Sequence, residues 1–407
     1  MRALASALLL VCCWLAPRPM AAQVLADTPT FAGGRIALGG EVTVTAAPDD
    51  EGDFNVTDYN RSALQLVRLA LTASVRPVEP ITVVTELRAE GDTNGGAWSA
   101  VPSALYVRVR PWRSRPFDLQ VGRIPPVFGA AGRRVYAHDN VLIGYPLAWQ
   151  YLTVLRADSV PASADELIYA RGADYGYTVG AEGYARGLPL ATAFRYDTGV
   201  EGRYGDERSA VSVAAAVTAG TLSSPGARDV NGGPQFSARV ATHPTTGLVA
   251  AVSFADGRFL SRRVRDELPA HRTGTRYAQR TWGADVEYSR DHWVVRGELV
   301  HARWNLPVIG EPAIDRPLRS TGISVEGRYR AAPGLTLAAR VDHLGFSRLE
   351  GTYLAAPWDG PVTRIETGVA YALTRQLIAR LSLQVNDRAR GDVRRKATPA
   401  AQVTWWF

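Results

Sequence analysis

Arginine supplies most of the chemistry available to this chain, and it recurs at every second residue beside carboxylates. In residues 80–91, Glu86, Arg88 and Glu90 share one side against Ile81, Val83, Leu87 and Ala89. In 103–111, Arg108 and Arg110 oppose Leu105, Val107 and Val109. Guanidinium is permanently charged and grips phosphate or carboxylate in a bidentate fashion. Such rows select ions; they do not make or break bonds. Groups suited to covalent chemistry are sparse. The only cysteines are Cys12 and Cys13, and the six histidines show no ligand spacing. His138-Asp139-Asn140 has the makings of a base and its partner, but no serine or cysteine nucleophile stands in a supporting context, so Asp139 and Asn140 read as turn caps. The glycine pairs at 33–34, 39–40 and 232–233 do not form a phosphate-cradling loop between a strand and a helix. The formal net charge is +7 and Lys396 is the only lysine. The arginines alternate with acids and form no stripe, which argues against nucleic acid as a partner. No catalytic residue, metal site or cofactor is expected.

A spacing of two is the period of a β-strand. Alternating segments recur at 35–46, 61–76, 80–91, 103–111 and 116–123, and after a long gap at 190–204, 208–220, 235–243, 247–258, 279–290, 292–304, 320–331, 334–347, 361–373, 376–389 and 395–407. That is about 16 strands, an even number that leaves both ends on one side. Tight connections such as 76–80, 243–247, 290–292, 332–334 and 374–376 alternate with longer loops near 47–60, 92–102, 221–233, 259–278, 305–319 and 348–360. Short turns on one side and long loops on the other are the pattern of an antiparallel transmembrane β-barrel. Alternation alone fits a water-soluble sandwich equally well, because either fold separates an apolar face from a charged one. Trp112, Trp282, Trp293, Trp304, Trp358, Trp405 and Trp406 fall near strand ends, where interfacial aromatic girdles sit.

The two ends favour the barrel. Met1 to Ala22 has Arg2, an apolar run from Leu4 to Leu15, and the small pair Ala21-Ala22, which reads as a secretory signal peptide cut before Gln23. No later segment has the roughly 20 consecutive apolar residues of a membrane helix. The sequence closes on Ala401-Gln402-Val403-Thr404-Trp405-Trp406-Phe407, an alternating strand ending in an aromatic residue. A terminal strand of this kind resembles the last strand of bacterial outer-membrane barrels, where the assembly machinery reads it, and it marks Phe407 as the assembly signal. The chain therefore divides into 1–22, the signal peptide, and 23–407, one barrel domain.

Residues 124–188 exceed an ordinary connection and are rich in Tyr, Leu and Trp, so they should pack against something. In so wide a barrel that place is the lumen. Val121-Gly122-Arg123-Ile124-Pro125-Pro126-Val127-Phe128-Gly129, then Asp139-Asn140 and Pro146-Leu147-Ala148-Trp149-Gln150-Tyr151, resemble the fifth strand and constriction loop of the phosphate-selective porin (porin O and P) family. Ser237–Pro244 and Trp282–Tyr288 look similar as well. The resemblance spans nearly the whole mature chain through loose patterns. It implies a trimeric all-β barrel of about 16 strands with the third extracellular loop folded inward.

The expected activity is passive diffusion of small hydrophilic solutes through the outer membrane, with a modest preference for anions, phosphate among them. The lysines that the phosphate porins use are almost absent here, and inward acids (Glu41, Glu86, Glu90, Asp118, Asp197, Glu201, Asp285, Glu287, Glu326, Glu366) nearly balance the arginines. Arg123, Arg133, Arg134 and Arg156 from the loop, facing Arg68, Arg88, Arg108 and Arg110, are the candidate constriction; the plainer role for each is pairing with a lumenal carboxylate. Expected partners are outer-membrane lipid and lipopolysaccharide, the barrel-assembly machinery, small anionic or polar solutes and two further copies of the chain. The rival readings are a lipase-like barrel enzyme and a non-conducting structural or adhesive barrel.

Overall fold

The computed structural model describes residues 29–407 apart from 57–60, 94, 96–97, 113, 171, 173–174, 178, 181–185, 193–194, 206–208 and 274–275. The signal peptide expected at 1–22 lies outside the described residues. Sixteen strands form the wall: β1 Ile36–Ala46, β2 Leu66–Val78, β3 Ile81–Asp92, β4 Ser99–Val109, β5 Phe117–Ile124, β6 Asp197–Tyr204, β7 Val211–Thr218, β8 Gln235–Thr245, β9 Leu248–Arg258, β10 Ala278–Arg290, β11 Trp293–Trp304, β12 Leu318–Ala332, β13 Leu335–Phe346, β14 Val362–Ala372, β15 Leu377–Arg388 and β16 Arg395–Trp406. Each strand runs antiparallel to its neighbours in sequence. The last returns to the first through Ala401↔Ala46 to Trp406↔Glu41, so the ladder closes on itself.

The alternating segments become strands, with shifts at their ends that have local causes. Strand β4 starts at Ser99, earlier than expected, although Pro102 has no N–H to give the ladder. A register shift between Glu86 and Leu87 on the neighbouring strand accommodates it. Strand β2 starts late, at Leu66, because residues just before it are tied to the preceding loop: Ala63 N–H donates to the Asn55 carbonyl at 2.8 Å and Gln65 Nε2 to Ala47 at 3.2 Å.

Exposure decides between sandwich and barrel. Leu105, Val252 and Leu381 on the outer face are 54%, 60% and 56% exposed, while Arg88, Glu201 and Arg340 on the inner face are 1%, 0% and 3% exposed. A soluble sandwich would reverse this. Apolar residues outside and charges inside suit a wall with lipid around it. At the short-turn end Trp112, Tyr204, Trp293, Tyr371 and Trp405 are exposed and form a rim of aromatic side chains. Three of the expected girdle tryptophans belong elsewhere. Trp304 and Trp358 are fully buried against each other, with ring centroids 5.9 Å apart, and Trp406 faces inward and stacks on His138 at 5.3 Å. Nearness to a strand end sets depth, but the parity of the position sets the face.

The seam is finished by the last residue. Phe407 N–H donates to Gly40 O at 3.0 Å, and Gly40 N–H to Phe407 O at 3.2 Å. The Phe407 ring then lies directly over Gly40, where a Cβ would stand 2.5 Å from Phe407 Cε1. At Gly39 a Cβ would meet only the Phe407 carbonyl oxygen, at 3.5 Å. Gly40→Val should therefore lower barrel stability by about 1–3 kcal/mol through overpacking, whereas Gly39→Ala should stay within about 0.5 kcal/mol. Urea unfolding in lipid vesicles checks this, and equal midpoints for the two variants would contradict the packing account.

Candidate functional site

The segment from β5 to β6 hydrogen-bonds to inward faces around much of the wall. Ala130 N–H and Trp149 Nε1 donate to Glu298 of β11 at 2.8 and 2.9 Å, and Gly129 N–H donates to Ser253 of β9 at 3.1 Å. Ala137 and His138 N–H both donate to Glu41 of β1 at 3.0 Å, and the His138 ring lies 2.6 Å from the same carboxylate. Tyr136 hydroxyl bonds Glu86 of β3, and Arg134 pairs with Glu287 of β10. Further along, Gly144 N–H donates to Glu366 of β14 at 2.9 Å.

The wall donates in return. Arg380 gives hydrogen bonds to the carbonyls of Ala137 and Asn140, both at 2.7 Å, and Arg340 to that of Gly144 at 3.0 Å. Arg364 reaches the Tyr145 carbonyl at 3.2 Å. These arginines are nearly sealed from water, and a buried cation without acceptors would be strongly unfavourable. The backbone carbonyls of this segment satisfy them, so its sequence can vary without loss of the bond. Apolar packing adds to this: Phe128, Leu147, Trp149, Tyr151, Leu155, Val160 and Leu167 share one buried cluster with Val300, Trp304, Leu344 and Val362 of the wall.

Inward charges alternate in sign along the ladder. Glu287, Arg296, Glu326, Arg340 and Glu366 are successive register partners on β10 to β14. Their ion pairs measure 2.7, 3.4, 3.4 and 2.7 Å in that order. Opposite charges directly across from each other stabilise a sheet.

Against this background the eight candidate arginines part company. Arg68 pairs with Glu90 at 2.7 Å and Arg88 with Glu86 at 2.8 Å, both buried. Arg156 makes a bidentate pair with Asp158 at 2.9 Å, also buried. Arg123 belongs to β5, not to the loop, and is the register partner of the outward Leu105; its Nε donates to Tyr196 O at 3.1 Å. It therefore shares the outer face and does not meet the others. Arg110 lies in the turn beyond β4, 60% exposed and 3.9 Å from Asp118. Arg108 pairs with Asp118 but keeps a side-chain exposure of 30%. Arg134 keeps 25% in its pair with Glu287. Arg133 is exposed, has no ion pair recorded among the described residues, and lies within electrostatic reach of Arg203, Arg239, Glu201 and Asp285. Arg203 is 29% exposed beside Glu201, and Arg239 is bonded to Asp285 at 2.8 Å. The arrangement thus brings Arg133, Arg203 and Arg239 within reach of one another, while Arg108 and Arg134 stay with Asp118 and Glu287, and Arg68, Arg88, Arg123 and Arg156 are held by partners of their own. Arg203, Arg239, Arg340 and Arg380 are absent from the expected set. Their odd spacing from the outward Val200, Val240, Val341 and Leu381 was the signal that could have found them.

No metal-binding group of three or more His, Cys, Asp or Glu occurs among the described residues. No protein-family description and no curated protein sequence matches this chain. Solved structures do. The chain superposes on OmpF of Salmonella typhi, solved in complex with daunomycin, with a TM-score of 0.56 at 10% identity, over 91% of this chain and 97% of that one. An anion-selective porin from Comamonas acidovorans gives 0.52 at 10% identity, over 91% and 99%. A loop L8 deletion form of OmpT, an outer membrane protein of Vibrio cholerae, gives 0.50 at 12% identity, over 91% and 99%. At such identities the likeness establishes the fold, which is that of the bacterial outer-membrane porins.

The anchoring of the long segment carries a pH dependence. Asp359, in the loop before β14, accepts from Val154 N–H at 3.0 Å and Gly360 N–H at 2.6 Å. Burial pushes its carboxyl up to about 6, outweighing those two bonds and the nearby Arg390 and Arg388. A folded-state pKa above the unfolded value favours the protonated form, so this contribution is full below about pH 4 and is lost as pH rises through 6. The loss is on the order of 3 kcal/mol. Urea midpoints measured at pH 4 and pH 7 should fall more for the parent protein than for Asp359→Asn. Parallel profiles would remove Asp359 from the anchor.

Proposed function

We propose that this chain is an outer-membrane porin through which small hydrophilic solutes diffuse passively, with a modest preference for anions, phosphate among them. The observation that carries the reading is Arg133: exposed, without a recorded ion pair, and within reach of Arg203 and Arg239. The hydrogen bonds of residues 129–145 reach β1–β3 and β9–β15, and none is recorded to β4–β8 among the described residues. We place the path of water and solute between Arg133 and the side of the wall that carries Arg108 and Arg203, which keep 30% and 29% of their side chains exposed. Folded against the opposite wall, the long segment narrows the lumen and sets the size limit. A cation in a narrow aqueous path raises the local anion concentration, and the neighbouring carboxylates keep the preference modest. The aromatic C-terminus, with Phe407 as the signal read on assembly, fits delivery to the outer membrane, and a homotrimer is the proposed assembly.

One observation favours a non-conducting barrel. Many inward side chains, including Thr45, Gln384, Asn386 and Thr398, are fully buried, so much of the lumen is packed. The lipase-like reading has lipid-facing His343, whose Nδ1 lies 2.9 Å from Thr363 Oγ1, and His301, similarly placed at 2.9 Å from Thr321. Its weakness is electrostatic: Arg303 lies 3.4 Å from His301 Nε2 and opposes the imidazolium that a general base must become.

Planar-bilayer recordings under a salt gradient separate these readings. The parent protein should conduct with an anion-favouring reversal potential. Arg133→Glu should reduce the anion-to-cation permeability ratio by about fivefold, the effect of about 1 kcal/mol of charge interaction through water. Arg134→Glu, already paired with Glu287, should act on the ratio much less. Absence of conductance would support the packed barrel, and an unchanged ratio in Arg133→Glu would remove that residue from the path.

A further inference from the structure

Arg280, Arg303 and Arg319 stand side by side on the outer face at the loop ends of β10, β11 and β12. Arg280↔Arg303 and Arg303↔Arg319 are register partners, and all three side chains are exposed. They share their faces with Val286, Leu299 and Ile323, which point outward. Whereas the inward row alternates in sign, this outward row sets like charges directly opposite, which destabilises a sheet. One carboxylate reaches it: Asp256 lies 2.7 Å from Arg280 Nε and is shared with Arg276. The Arg303 guanidinium lies 5.0 Å from the Trp282 ring. Among the described residues no carboxylate is recorded at Arg303 or Arg319.

Depth identifies what could neutralise the row. Trp293, 54% exposed and 4.5 Å from the Tyr329 ring, marks the aromatic rim at the short-turn end of β11. Arg303 is ten residues further along the same strand. At about 3.3 Å per residue and a tilt near 40°, that is about 25 Å of height, the thickness of the apolar band. The arginines thus stand where hydrocarbon gives way to headgroups on the long-loop side.

We propose that Arg280, Arg303 and Arg319 form a binding site for the phosphate headgroup of an outer-leaflet amphiphile, a phosphorylated glycolipid. Guanidinium pairs with phosphate in bidentate, charge-assisted hydrogen bonds, and three adjacent forks span more than one phosphate group. Trp282 lies beside the row, where an interfacial aromatic ring packs against sugar and upper acyl chain. The proposal rests on the membrane orientation used above and is independent of whether the lumen conducts.

The test uses the full barrel and its Arg280→Gln/Arg303→Gln/Arg319→Gln variant in phosphatidylcholine vesicles containing either bisphosphorylated or dephosphorylated lipid A. Bound lipid is read by native mass spectrometry, and heat-modifiable migration confirms folding. The variant should bind bisphosphorylated lipid A roughly a hundredfold more weakly and the dephosphorylated form equally. Arg303→Lys should retain most of the binding, and conductance should not change. If the triple variant fails to fold, Arg303→Gln replaces it, with roughly a fivefold loss expected. Equal binding of both lipids by both proteins would overturn the proposal. So would full displacement by millimolar inorganic phosphate, which would make the row a free-phosphate site. Loss of subunit association with lipid binding intact would make it a protein contact instead.

Discussion

In a bilayer no water is available to an unpaired backbone group, so a wall proposed to span one needs a hydrogen-bond ladder that closes completely, as this one does. The strand number, the antiparallel order and the return of β16 to β1 all answer that requirement. The pairing of Phe407 with Gly40 completes the seam, and Gly40 lacks a side chain because the terminal ring occupies that space. Pro102 shows how little slack there is: a residue without an N–H enters β4 only beside a register shift.

Once the wall is closed with its apolar face outward, every charged side chain of the strands is turned inward or toward the rims. Burial of so many ions would be ruinous without partners. The inward face meets this by alternating sign along the ladder, as in Glu287, Arg296, Glu326, Arg340 and Glu366. Arg380 has no carboxylate among its recorded bonds and depends on the carbonyls of Ala137 and Asn140 with Gln402 and Thr404. The long segment is thus part of the electrostatic solution. Its position leaves Arg133 exposed, with no ion pair recorded among the described residues.

Much of the fold was legible because a membrane barrel writes one rule, period two, into every strand. Strand number, strand faces and the inward acids follow from it. The site was less legible. Whether an inward arginine meets water depends on the path of residues 129–145, which is set by contacts such as Ala137 to Glu41 and Gly144 to Glu366, far apart in sequence. No local pattern distinguishes Arg88, sealed beside Glu86, from Arg108, part-exposed beside Asp118. Arg123 was misread although the signal was present: it lies two residues from the outward Val121 and so shares its face. Trp304 and Trp358 were misread for a related reason, since closeness to a strand end does not fix which way a ring points.

The central claim is that the open path runs past Arg133. Because Cys12 and Cys13 are the only cysteines and both lie in the segment expected to be removed, a single Arg133→Cys variant offers one thiol in the mature barrel. Charged methanethiosulfonate reagents applied to that variant in a planar bilayer test the path directly. The account predicts that both signs of reagent reach the thiol, that an anionic adduct reduces anion permeability and that a cationic adduct restores it. A thiol that modifies in detergent-unfolded protein but never in the conducting barrel would contradict it, as would an adduct that leaves the current unchanged.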